Sequence, residues 1–287
     1  MRIAFMNFDD LKLEYADALT VLFNAVQGSV QEFKEFEPWR ADTHSLALKM
    51  YRHLTSVKLL CERCIDERAG YLPSYHIDFS SAQIVTRAAI ETFLTFAYVF
   101  GQEDLTLSQF RSEIWQLSGL ADRQKLQPST PDSEQKLATE KLDMEKLRIS
   151  IEKSPHLSNA YTEKQAARIL AGGWSQLRDW GELAEAAGID SRYFENTYKH
   201  LCGFSHSSYI STLQISQARD MQTQADMAQS CLCMCLFYTA HFVSTFAKIS
   251  RTAALFLSKD KAAIRLVEKW YITKDDWEKI YAKQRSL

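Results

Sequence analysis

The stretch that most constrains the fold is an apolar run near the C-terminal end of the chain, CLCMCLFYTAHFVSTFAKI, residues 231–249. As a helix, this run is nearly long enough to span a bilayer. Polar side chains interrupt it, among them His241 and Lys248, and an imidazole or a charge inside a membrane is costly. We therefore expect a buried central helix, within a helical pattern from about residue 219 to 257, and no membrane contact. His241 is predicted to be a hydrogen-bonded core histidine.

Most of the remaining sequence also follows helical periodicity, and alternating β-branched runs between turn signals are nearly absent. One helix is predicted from about Thr43 to Ala69. Another is predicted to begin after Asp78, Ser80 or Ser81 and to continue to Phe100. The sequence therefore predicts an all-α multi-helix bundle with long buried central helices. A chain of 287 residues is long enough for one large core, so we expect a single helical domain over 1–287. It would carry a charged helical arm or hairpin near 127–160 and two short C-terminal helices near 259–287.

The net charge and the cysteine content exclude some classes of function. The formal net charge of −2 excludes the strong global attraction to nucleic acid that a basic protein has. Cys61 and Cys64 form a CxxC within the predicted helix, where helical spacing puts both on one face. No second CxxC or nearby histidine pair completes a zinc site. We expect packed, reduced thiols and no metal or cofactor. The N-terminal segment lacks a long apolar core and a cleavage site, which predicts no signal peptide and a cytoplasmic location.

The predicted helix after Asp78 carries an unusual polar stripe. In SAQIVTRAAIETFLTFAYVF the only charges are Arg87 and Glu91, which face the same way because they are four residues apart. Helical steps add Tyr98 to this stripe, and the surrounding apolar residues predict a helix covered on all sides. The pair either fixes the register of a buried helix or presents the remaining donors of a rigid arginine to an anion.

The stretch YKHLCGFSHSSYIS, residues 198–211, gathers histidines, serines and tyrosines. If the preceding helix persists, Tyr198, Cys202 and His206 stack at four-residue spacing, with Ser205 alongside. One interpretation is that Ser207 or Ser208 caps the next helix, and that His206 hydrogen-bonds a carbonyl at the end of this one. The other is a polar corner where His206 exchanges protons at neutral pH.

These two motifs carry a family resemblance. Arg87-x-x-x-Glu91 in an apolar helix, followed by Tyr198-x-x-Leu201 and then FSHSS at 204–208, resembles an uncharacterised bacterial all-helical family of unknown function. That family is in turn similar to the HEPN superfamily, the higher eukaryote and prokaryote nucleotide-binding helical domains. HEPN members often act as metal-independent ribonucleases in toxin, abortive-infection and phage-defence systems, with an Arg and a His about four to six residues apart, commonly at a dimer interface. This sequence departs from that pattern, because seven residues separate Arg192 from His200 and no arginine lies at the family spacing before His206. In a ribonuclease of this kind, Arg87 on another helix would therefore supply the positive charge.

Two functions are predicted, and whether the protein is an enzyme stays open. The first is an interaction or sensing module, in a bacterial stress or phage-defence system, whose polar pocket binds an anion or a partner. The second is a HEPN-like ribonuclease. Under either function, the partner of the protein is expected to be RNA or another protein, and the resemblance implies a homodimer. We expect the functional side chains to converge on one pocket: His206, Arg87 and Glu91 as catalytic groups, and Tyr98, Tyr198, Ser205, Ser207 and Ser208 as binding groups.

Overall fold

The computed structural model describes residues 6–34, 38–67, 74–174 and 179–284. Within these ranges the chain forms fifteen α-helices, a short 3-10 helix at Pro38–Arg40 and one two-stranded sheet. In chain order the elements are α1 (Phe8–Gly28), α2 (Val30–Lys34), α3 (Ala41–Leu60), β1 (Arg63–Asp66), β2 (Ser74–Ile77), α4 (Phe79–Phe100), α5 (Leu105–Gln124), α6 (Pro131–Lys153), α7 (Pro155–Ala160), α8 (Glu163–Leu170), α9 (Trp180–Ala186), α10 (Ser191–Ser205), α11 (Tyr209–Gln217), α12 (Met221–Ile249), α13 (Arg251–Lys259), α14 (Lys261–Trp270) and α15 (Lys274–Gln284). The prediction of an all-α bundle is confirmed.

Two long helices, α4 and α12, form the centre of the bundle, and α1, α3 and α10 pack around them. Aromatic side chains fill the space between the central pair. The rings of Phe96 and Phe242 lie 4.4 Å apart, and both contact Phe246. Burial of such large side chains is the main source of stabilisation in a fold of this kind.

The apolar run at 231–249 lies inside α12. This helix is long and apolar enough to cross a membrane, but 72% of its most apolar window is buried inside the fold, as in the core helix of a bundle. His241 is buried, and its Nε2 lies 3.2 Å from the carbonyl oxygen of Ile272. Burial lowers the pKa of His241 to about 4, so the ring is neutral, as expected for a core histidine.

The helical pattern predicted at 219–257 is two helices rather than one. Ser250 adopts an extended backbone between α12 and α13, and its Oγ accepts a hydrogen bond from the backbone N–H of Ala253. The same hydroxyl donates to Glu32 on α2 at 2.7 Å. The chain therefore turns at Ser250 because a distant carboxylate stabilises a serine cap.

The helix predicted at 43–69 ends earlier than expected. α3 stops at Leu60, and β1 pairs antiparallel with β2, so that Cys64 lies opposite His76. Cys61 and Cys64 therefore do not share a helical face, and this part of the prediction is wrong; Ala69 itself lies outside the described residues. The guanidinium of Arg63 lies 4.4 Å from the ring centre of Tyr75 across the pair. Helical periodicity does not predict this contact between strands.

Helices α5 to α8 form a lateral layer with its own small core, separate from the main one. Its buried members are Phe110, Ile114, Leu117, Met144, Ile151, Leu157 and Ile169. The charged segment predicted near 127–160 corresponds to α6 and α7, and the predicted C-terminal helices correspond to α14 and α15 up to Gln284; residues 285–287 lie outside the described ranges. The single domain stays a prediction.

Candidate functional site

The polar stripe lies on the least buried face of α4. The helix begins after Asp78, the first of the three predicted starts, and the Asp78 side chain accepts a hydrogen bond from the backbone N–H of Ser81. It ends before Gly101, as predicted. Beyond Ala89 every residue of α4 except Glu91 is buried. The N-terminal half is more open: Ile84 is 42% exposed, so α4 is not covered on all sides as expected. Two charged side chains that solvent reaches can also be reached by a ligand.

Arg87, Glu91 and Tyr198 form a compact network, which we call the Arg87 cluster. Nε of Arg87 lies 2.9 Å from Oε1 of Glu91, and the two side chains are 22% and 27% exposed. The hydroxyl of Tyr198 donates to Oε1 of Glu91 at 2.6 Å and accepts from Nε and Nη2 of Arg87 at 3.4 and 3.3 Å. The cluster therefore joins α4 to α10 and carries no net charge.

Burial and the contacts in the cluster shift the pKa values of Arg87 and Tyr198. Burial alone would lower the pKa of Arg87, but the hydrogen bond to Tyr198 and the charge of Glu91 raise it above its ordinary value. Burial, and then the hydrogen bond to Glu91, raise the pKa of Tyr198. At neutral pH the arginine is charged and the tyrosine is protonated, which is the state that the hydrogen bonds require.

Aromatic packing fixes the tyrosine of the cluster. The ring of Tyr198 stacks on Phe194 one turn earlier in α10, with the ring centres 5.0 Å apart, and contacts Trp180 of α9 at 6.5 Å. The guanidinium of Arg87 also lies 5.3 Å from the centre of the Tyr198 ring. These contacts hold the hydroxyl in place.

The structure does not bring His206 to Arg87. Helices α4 and α10 run antiparallel, because Phe204 contacts Phe79 near the start of α4 whereas Tyr198 contacts Glu91 further along. His206 follows Tyr198 by eight residues, about 12 Å along a helix axis, and is exposed. Among the described residues, its side chain forms no hydrogen bond or ion pair.

The residues around His206 form a helix-to-helix turn. His206 is the C-cap of α10, and Ser208 is the N-cap of α11, with its Oγ accepting from the backbone N–H of Ser211 at 3.5 Å. Ser207 lies between them and has a φ of +49°, a left-handed backbone conformation that residues other than glycine rarely adopt. The hydroxyl of Ser205 donates back to the carbonyl of Leu201. This arrangement agrees with the capping interpretation of the serines.

Tyr98 lies away from the Arg87 cluster. It follows Arg87 by eleven residues, about 16 Å along α4. Its ring packs under the guanidinium of Arg111 at 4.0 Å and beside Trp174 at 5.3 Å. Tyr98 therefore belongs to the junction between α4 and the lateral layer.

Sequence reasoning missed a cleft of about 740 Å³ between the start of α3 and the lateral layer. We call it the cleft; its lining residues are Asp42, Trp115, Gln116, Ser118, Gly119, Leu120, Asp122, Arg123, Asp143, Lys146, Leu147 and Trp174. None of the predicted site residues lines it. The lining comes from α3, α5, α6 and the residues after α8, so no single stretch of sequence carries its signal.

The comparisons with known proteins give one match. A family model described as "Family of unknown function (DUF5677)" matches residues 43–222, which is 180 of the 287 residues. The matched segment contains the whole Arg87 cluster and the FSHSS turn. No curated protein and no solved structure matches the chain.

Proposed function

The chain belongs to the DUF5677 family of unknown function, and from the geometry of its Arg87 cluster we propose that it is a helical binding module. In this proposal Arg87 contacts an oxyanion, a phosphate or a carboxylate, that belongs to the partner. The observation that supports this proposal most is that only part of the Arg87 guanidinium is hydrogen-bonded within the part of the protein that the structure describes. Nε and Nη2 contact Glu91 and Tyr198, whereas Nη1 has no hydrogen-bond partner among the described residues.

The rigidity of the arginine supports binding. A flexible surface arginine loses side-chain entropy when it contacts a ligand. Arg87 is already held by a carboxylate, a hydroxyl and an aromatic face, so little further entropy is lost on binding. Because Glu91 neutralises the charge, recognition depends on donor geometry more than on long-range attraction, which agrees with the net charge of −2.

The same geometry disfavours turnover. A general acid or base must lie within hydrogen-bond reach of the reacting group, and charge stabilisation must act at the same place. His206 and Arg87 lie about two helical turns apart along antiparallel helices, and Glu91 is committed to the arginine. The HEPN-like ribonuclease therefore becomes the alternative that the test must exclude. Action on RNA, a role in bacterial stress or phage defence, a homodimer and a cytoplasmic location are proposals that follow from the HEPN resemblance.

Calorimetric titration with inorganic phosphate tests the binding module. The double variant Arg87→Met/Glu91→Leu removes the pair without leaving a lone charge, and Arg123→Met/Glu140→Leu is the matched control. Arg123 and Glu140 form another partly buried pair, with Nη1 and Oε1 2.6 Å apart, in the lateral layer. The wild type and the control should bind phosphate with millimolar or tighter affinity, and the first double variant should lose binding about tenfold or more.

A second arm separates binding from catalysis. Mixed RNA is incubated with the wild type and with His206→Ala in the presence of a chelator, and cleavage is followed on a gel. The binding module predicts intact RNA in both. Cleavage by the wild type that disappears in His206→Ala would establish the ribonuclease instead. Equal phosphate binding by the wild type and the two double variants would overturn the role of Arg87.

A further inference from the structure

The cleft has the dimensions and walls of a small-molecule site. Its volume of about 740 Å³ lies within the usual range for ligand pockets. Two indole rings line it: Trp115 from α5, packed edge-on against Phe100, and Trp174, packed against Tyr98. Leu120 and Leu147 add apolar surface. Flat aromatic walls favour a ligand with an apolar or aromatic body.

Most charges in the cleft are already compensated. Asp143 pairs with Lys146 at 2.8 Å, and Asp122 pairs with Lys125 at 2.7 Å. Arg123 pairs with the nearly buried Glu140. The lining therefore offers no uncompensated cation to an anionic ligand from the described residues.

Asp42 is the exception. It lies in the first turn of α3, and its Oδ2 accepts a hydrogen bond from Nε2 of Gln116 at 2.8 Å. Among the described residues it forms no ion pair, and Oδ1 accepts no hydrogen bond. Burial raises the pKa of this carboxyl, and the hydrogen bond from Gln116 offsets only part of the effect. A half-buried carboxylate without a cation is stabilised by any positive group that approaches it.

We propose that the cleft binds a small organic monocation, a protonated amine on an apolar body. The ammonium pairs with Asp42, while the body packs against Trp115 and Trp174, and the indole faces add cation–π attraction. The single negative charge of Asp42 matches one positive charge, and Gln116 holds the carboxylate in position. This site is independent of the Arg87 cluster.

A pair of probes that differ in charge tests the proposal. 2-Phenylethylamine is protonated at neutral pH, and 2-phenylethanol has nearly the same shape without the charge. Binding of each is measured calorimetrically to the wild type, to Asp42→Asn and to Asp143→Asn. Asp143 is the matched control because it lines the same cleft but is already paired with Lys146.

The wild type should bind the amine at least about tenfold more tightly than the alcohol, a difference of about 1.4 kcal/mol. Asp42→Asn should abolish this preference, whereas Asp143→Asn should leave it within about threefold, as expected for an exposed ion pair. Equal affinity of the wild type for both probes, or an equal loss in both variants, would overturn the proposal. Absence of saturation by the amine at about 10 mM would also overturn it, because a site of this size should reach millimolar affinity.

Discussion

The Arg87 cluster and the cleft are both polar sites at helix junctions, but the charges are paired in the cluster, whereas the cleft contains a carboxylate without a cation from the described part of the chain. In the cluster, Arg87 and Glu91 compensate each other and Tyr198 completes the network, so that the site is rigid and neutral. In the cleft, the amide of Gln116 is the one partner that Asp42 has among the described residues, and no cation from them pairs with its carboxylate. Removing one member of a compensated pair leaves a partly buried lone charge, so a single substitution there should be costly. An uncompensated site reduces stability slightly and should bind a ligand of opposite charge.

The sharpest test of this difference breaks the compensated pair. Arg87→Met leaves Glu91 partly buried without its cation, and we expect a loss of about 2–3 kcal/mol in the free energy of unfolding. Arg87→Met/Glu91→Leu should recover most of this loss, because no charge is then left alone. Denaturant unfolding followed by circular dichroism measures both. If the double variant is as unstable as the single one, the pair is not the compensating unit described here.

The next effect concerns the hydroxyl that completes the cluster. Tyr198→Phe removes one hydrogen bond donated to Glu91 and the contacts accepted from Arg87. A loss of about 1–1.5 kcal/mol is expected, since hydrogen bonds to charged groups contribute more than neutral ones. Tyr209→Phe is the control, because Tyr209 is 77% exposed; its stability should change by less than about 0.5 kcal/mol. An equal loss of unfolding free energy in Tyr198→Phe and Tyr209→Phe would show that the Tyr198 hydroxyl does not stabilise the cluster.

Removing the charge of Asp42 in the cleft should raise the free energy of unfolding, whereas breaking the Arg87 cluster should lower it. Burial raises the pKa of Asp42 in the folded state, so the folded protein binds this proton more tightly than the unfolded chain does. Stability is therefore lost as the pH rises from the unfolded pKa of about 3.9 through the raised folded value. Asp42→Asn should match the wild type at low pH and exceed it near neutrality by less than about 1 kcal/mol. A variant that is less stable than the wild type at neutral pH would mean that Asp42 is compensated after all.

The smallest effect is expected for a charge that is paired at the surface. Lys146 and Asp143 are 2.8 Å apart, but their side chains are 77% and 49% exposed. Lys146→Met should change the free energy of unfolding by less than about 0.5 kcal/mol. A larger loss would show that ion pairs in the cleft contribute as the Arg87 cluster does, and the contrast between the two sites would disappear.

The two sites also differ in how far the sequence reveals them. Arg87 and Glu91 are neighbours on one helix, so four-residue spacing predicts their contact before any tertiary structure is known. The Asp78 cap and the Gly101 end of α4 are local signals of the same kind. Tyr198 could be singled out as a motif residue, but its contact with Glu91 depends on the antiparallel packing of α4 and α10.

The remaining features depend on contacts between distant segments. The pairing of β1 with β2 and the break at Ser250, which Glu32 stabilises, both override helical periodicity. The cleft is built from four separate segments, and Asp42 and Gln116 are 74 residues apart in the chain. Local spacing cannot predict such a site, because the charge of Asp42 becomes unusual only once other helices bury it.

The most direct measurement of the central claim follows the side-chain Nε–H signal of Arg87 by ¹⁵N NMR while inorganic phosphate is added, with Arg87→Met used to assign the signal. Because Nε is held by Glu91 and Tyr198, the signal should be protected from solvent exchange, and it should shift saturably as phosphate contacts the adjacent Nη1. The signals of the other arginines should move less. An Arg87 signal that does not move, while phosphate binds elsewhere or not at all, would contradict the account.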